Sequence, residues 1–117
     1  MAAKVYVGER LNSGLSVHVK ETGQPIRPLE HHVRHSPTGF ECGYAGSGPA
    51  DLARCILIDH FDCADTRHQT GIGHEDSDGP AQQVERLYQP FKFAVIALLP
   101  SDSDWQLTTA QIETAIT

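Results

Sequence analysis

Several familiar binding chemistries lack their raw material in this chain. Its three cysteines, Cys42, Cys55 and Cys63, are an odd number with no CxxC pair, so a disulfide framework is not expected. Nine lysines and arginines face fifteen aspartates and glutamates, giving a net charge of −6. The basic residues form no stripe of the kind that grips a phosphate backbone, so a nucleic-acid partner is not expected. The longest apolar run, Phe93 to Leu99, is far too short for a membrane span. "MAAKVYVGER" has no apolar signal region, so a cytoplasmic protein without a membrane partner is expected. There is no internal repeat, no Walker lysine and no GxGxxG spacing.

What remains reads as a single domain over residues 1–117, with one core. Lys4 to Gly8 alternates as a strand. Asn12, Ser13 and Gly14 carry turn chemistry, and Leu15, Val17 and Val19 alternate with polar residues, which predicts a hairpin. Leu29 to Val33 reads as a third short strand, and Phe40 to Tyr44 as a fourth strand or an irregular segment. From Pro49 the period becomes helical, predicting a helix over 49–61. Residues 62–80 are rich in Gly, Asp and His and read as a mobile loop or insertion. A short helix over 81–88, ended by Pro90, and a buried strand over 92–99 are expected next. Thr108 and Gln111 form a capping box ahead of a last helix that packs Ile112 and Ile116, with Trp105 as a packing residue beside its start. The fold class is α+β: a small, mostly antiparallel sheet with helices packed on one face.

The most distinctive stretch is "SPTGFECGYAGSGPADLA", with four glycines and two prolines before an apolar helix. With Gly48 as N-cap, Pro49 falls at the first helical position and Asp51 at the third. Positive φ at Gly43, Gly46 and Gly48 would let several N–H groups converge at a helix N-terminus, a ready anion or phosphate site. The plainer alternative is a tight turn whose own Ser47 and Asp51 satisfy the helix end.

The stretch resembles the hallmark of an uncharacterised bacterial, phage and plasmid family of unknown function, H-S-P-T-G-F-x-W-G-Y-x-G-S-G-P-A-x-L-A. Tyr6, Gly8 and Arg10 match a preceding Y-x-G-x-R element. Phe91-Lys92 and Trp105, Leu107 and Thr108 match later F-K and W-x-L-T elements. The chain departs at Cys42, where the family pattern has tryptophan. The resemblance implies no activity. It implies that residues 35–51 act as a unit with Arg10 as an associate, and it argues against a nucleophilic role for Cys42.

Expected ligand-binding residues are therefore Arg10, His35, Ser36, Thr38, Phe40, Glu41, Tyr44, Gly46, Ser47, Gly48 and Asp51. In this reading, backbone N–H groups and hydroxyls hold a nucleotide-like or phosphate-bearing small molecule, Arg10 supplies charge, and Tyr44 or Phe40 stacks. A protein-interaction module, such as an anti-defence inhibitor carried by a mobile element, is the alternative. A small hydrolase or transferase using His35 and Glu41, or a Cys42–His35 pair, is a further one. Metal sites from His31 and His35, or from His60, Cys63, His68 and His74, match no standard spacing, so neither metal nor cofactor is expected.

Overall fold

The computed structural model describes residues 3–63 and 80–117. It is an α+β fold. Strand β1 (Lys4–Leu11) turns through Asn12-Ser13 into β2 (Gly14–Glu21), with Leu11 opposite Gly14 and Tyr6 opposite Val19. Gly14 takes φ +134°, a value that only glycine adopts readily. A two-residue strand, β3 (Arg27–Pro28), flanks β2, and β4 (Trp105–Thr108) flanks β1, so the antiparallel sheet runs β3-β2-β1-β4. Alternation sends Tyr6, Gly8, Val17, Val19, Trp105 and Leu107 to one buried face. Lys4 and Arg10 mark the two ends of that face on β1.

Helix α1 (Ser47–Phe61) is the centre of the molecule. Residues 48–58 are all buried, including the charged Asp51 and Arg54. Helix α2 (Pro80–Ala94) packs on it, and Arg54 Nε donates to Glu85 Oε2 at 2.9 Å. A 3-10 helix (Ile96–Leu98) follows α2, and β4 then leads into α3 (Thr109–Ile116). The capping box is present: Thr108 Oγ1 accepts from the Gln111 N–H at 3.1 Å, and Gln111 Oε1 accepts from the Thr108 N–H at 2.9 Å. Ile112 is fully buried and Ile116 partly so. No helix among the described residues is long and apolar enough to cross a membrane.

Four expectations need correction. Leu29 to Val33 is not a strand; pairing stops at Pro28, apart from the Leu29 N–H to the Val17 carbonyl at 2.9 Å. Beyond it the backbone donors leave the sheet for side chains of α1. The predicted strand over 92–99 is instead the end of α2 and the 3-10 helix. Val84, Tyr88 and Phe91 are buried at helical spacing, and Pro90 sits on the exposed side, where water can solvate the carbonyl that its ring leaves unbonded. Trp105 does pack in the core, but from a strand, directly opposite Gly8. A Cβ on Gly8 would lie 2.1 Å from Trp105 Cε2, so the indole needs glycine there. Last, α1 starts at Ser47 with Gly46 as N-cap, and the Ala50 N–H bonds the Gly46 carbonyl at 2.9 Å. Pro49 is then the third helical residue, still within the first turn, where an N–H has no helical partner. The irregular alternative for Phe40 to Tyr44 holds. Residues 64–79 of the expected mobile loop lie outside the described residues.

Candidate functional site

The segment between β3 and α1 is built around Asp51. This fully buried carboxylate accepts the backbone N–H groups of Arg34 at 3.2 Å, His35 at 2.9 Å and Ser36 at 3.0 Å, and the His31 imidazole Nε2 at 2.8 Å. Burial alone would push its carboxyl up. The His31 bond and the three N–H donors outweigh that and hold it below the usual carboxylate range. One helical turn on, the Cys55 thiol accepts the His32 N–H at 3.3 Å. Two α1 side chains thus do for residues 31–36 what a neighbouring strand would otherwise do. The Ser36 hydroxyl then closes a turn onto the Gly39 carbonyl at 2.9 Å, with Gly39 at φ +126°.

Arg10 and Glu41 form a two-pronged pair at 3.1 and 2.8 Å. The Glu41 hydrogen bonds, above all, raise the Arg10 pKa further. Glu41 in turn lies over the start of α1: a Cβ on Gly48 would be 2.8 Å from Glu41 Cβ. Arg10 is therefore linked to the helix start through Glu41, and its charge is matched by that carboxylate. Cys42 is buried beside this pair, with its Sγ 3.9 Å from Arg10 Nη2 and donating to the Pro100 carbonyl at 3.3 Å. Burial pushes its thiol up, against the pull of Trp105 and Arg10, so it is a poor nucleophile.

The expected residues fall into three groups. Thr38, Phe40 and Glu41 line a cleft of about 360 Å³ with Leu11, Ser13, Leu15 and Ser16 of the hairpin, and Arg10 and Gly48 back it through Glu41. Asp51, His35 and Ser36 belong to the brace, with Asp51 and Ser36 buried, and His35 Nε2 also shares a hydrogen bond with the Tyr88 hydroxyl at 2.9 Å. Tyr44, Gly46 and Ser47 line neither this cleft nor the brace. The Tyr44 ring covers Gly46, 2.6 Å from where a Cβ would stand, and is 52% exposed. Of the three glycines expected at positive φ only Gly43 has it, at +86°; Gly46, at φ −160°, is extended, and Gly48 serves by giving room to Glu41. Asp51 is neither an N-terminal cap nor open to a ligand.

His35 and Glu41 are committed to separate partners, as are His31 and His35. Among the described residues no three His, Cys, Asp or Glu side chains are grouped to hold a metal, and His68 and His74 lie outside those residues. The brace role of His31, which stacks on Phe40 with centroids 4.4 Å apart, was within reach of the sequence only as one histidine in a cluster. The hairpin wall of the cleft carried no local signal.

No curated protein and no solved structure matches this chain. A family model does match, over residues 6–71, which takes in most of β1, all of β2, the Asp51 brace, the Glu41 cleft and all of α1. More than half of the sequence lies in that match, and the chain belongs to the family of unknown function DUF6166.

Proposed function

We propose that the protein is a small ligand-binding domain, and that its ligand sits between the hairpin turn and the Thr38–Glu41 segment. The observation that carries this reading is the meeting of Thr38, Phe40 and Glu41 on one open cleft of about 360 Å³, within the range of small-molecule sites. The cleft offers hydroxyls of Ser13, Ser16 and Thr38, a carboxylate fixed from behind by Arg10, and an aromatic edge. These groups suit the base or sugar of a nucleotide-like ligand better than its phosphate, because Glu41 cancels the nearby cation and leaves no net positive charge there. A cytoplasmic accessory protein of a mobile element that sequesters such a molecule is consistent with this chemistry.

Native mass spectrometry of protein purified from cells tests the reading. A co-purified small molecule is expected, and it should be lost in Thr38→Trp, which fills the cleft from an exposed position, without a change in melting temperature. Protein free of any small molecule, or one retained by Thr38→Trp, would sink the proposal. A second reading, an interaction module such as an anti-defence inhibitor, is favoured by two exposed apolar residues, Tyr44 and Leu98, at 52% and 77%. They lie on segments joined by the Gly43 N–H bond to the Ile96 carbonyl at 3.0 Å. A protein partner in the same mass spectra, in place of a small molecule, would support it.

A further inference from the structure

A second and larger cleft, of about 460 Å³, opens at the other end of α1, and none of its lining residues touches the Glu41 cleft. Its floor is apolar: Leu29, Cys55 and Ile58 are each no more than 6% exposed. Its polar wall carries the carboxylates of Glu30, Asp59 and Asp62 with the Arg27 guanidinium and the His32 imidazole, which lies 3.7 Å from Glu30. The Arg27 charge is already spent, since its guanidinium lies 2.8 Å from Asp59 and 3.6 Å from Glu21. Lys4, just behind, is likewise held by Asp59 at 3.1 Å. Asp62, the C-cap of α1, lines the cleft, which places the negative end of the helix dipole beside it.

We propose that this cleft is a binding site for a primary aliphatic amine, with the methylene chain on Leu29, Cys55 and Ile58 and the ammonium between Glu30 and Asp62. An anion would meet the carboxylates of Glu30 and Asp62 there, with Asp59 already matched by Arg27 and Lys4. A neutral apolar molecule would bring nothing to offset the charges of Glu30 and Asp62. An alkyl ammonium satisfies both floor and wall. The site does not depend on the proposal for the Glu41 cleft.

Pentylamine, with pentanol as the uncharged probe of the same shape, tests this on the full chain by amide NMR titration. Pentylamine should give saturable shifts at Leu29, His32, Ile58 and Asp62, leave Thr38 and Phe40 unmoved, and bind more tightly than pentanol. Glu30→Gln and Asp62→Asn should each weaken it roughly two- to fivefold, the span of exposed ion pairs. Both variants should fold: Glu30 is exposed, and asparagine accepts the left-handed conformation of Asp62 at φ 54°. Absence of saturation, equal binding of pentanol, or binding unchanged in both variants would overturn the assignment.

Discussion

Each end of α1 holds a carboxylate, fully buried at Asp51 and largely covered at Asp59, and the two are used differently. Asp51, one turn from the start, takes three backbone N–H groups and one imidazole. Asp59, one turn from the end, takes side chains: Lys4 Nζ at 3.1 Å, Arg27 at 2.8 Å and the Tyr6 hydroxyl at 3.4 Å. Backbone donors cannot swing away, so Asp51 fixes the path of residues 31–36. Long cationic side chains can, so Asp59 pins neighbouring elements without dictating their course. The cost of removing each carboxylate follows from that contrast. Without Asp51, the N–H groups of residues 34–36 lose their shared acceptor, at about 1–3 kcal/mol for a buried donor such as that of Ser36. Without Asp59, Arg27 keeps Glu21, and only the Tyr6 hydroxyl is left deep in the core.

The largest expected effect comes from breaking that contrast outright. Asp51→Ala should destabilise the fold by about 3–5 kcal/mol, in the range for breaking a buried charged network. Asp59→Ala should cost about 1–3 kcal/mol. Urea melts of the two variants decide the point, and equal losses would refute the distinction between backbone and side-chain partners.

Acid should act through both carboxylates. Burial raises both, but their partners more than offset it, so each is lowered below 3.8 in the fold. A group whose folded pKa is depressed adds stability above its unfolded pKa and loses it as pH falls through the folded one. Stability should therefore be flat near neutrality and fall below about pH 4. Asp51→Asn should remove part of that slope, as measured by melting temperature against pH. A variant with the full wild-type slope would show that Asp51 is not one of the groups responsible.

Two glycines at the start of α1 sharpen the comparison on a smaller scale. Gly48→Ala drives its Cβ to 2.8 Å from Glu41 Cβ and 3.2 Å from the Glu41 backbone nitrogen, which the Arg10 pair holds in place. A loss of about 1–3 kcal/mol is expected, as for other overpacked sites. Gly46→Ala meets only the exposed Tyr44 ring, which can turn away, so the loss should be under about 1 kcal/mol. Thermal melts that rank the pair in the opposite order would show that Glu41 is free to move.

Salt should give the smallest effect. Raising ionic strength from about 0.01 to about 1 M shortens the screening length from about 30 to about 3 Å. The cost of Asp59→Ala should then shrink by a few tenths of a kcal/mol, because Arg27 is 42% exposed. The cost of Asp51→Ala should not change, since that carboxylate is itself fully buried. Paired melts at the two salt concentrations measure both differences.

Local pattern alone settled the β1–β2 hairpin, the apolar run of α1 and the capping box of α3, because alternation, helical spacing and a Thr-x-x-Gln cap act between near neighbours in the chain. It also singled out Arg10, Thr38, Phe40 and Glu41. The tertiary structure decided the rest. Whether Leu29 to Val33 pairs as a strand depended on Asp51 and Cys55 drawing its donors away, which are distant in sequence. Whether Pro90 ends a helix depended on which side of α2 faces water. The role of Asp51 depended on what surrounds α1: as an exposed first-turn residue it would serve the helix end, but buried on every side it had to find donors in the segment packed against it.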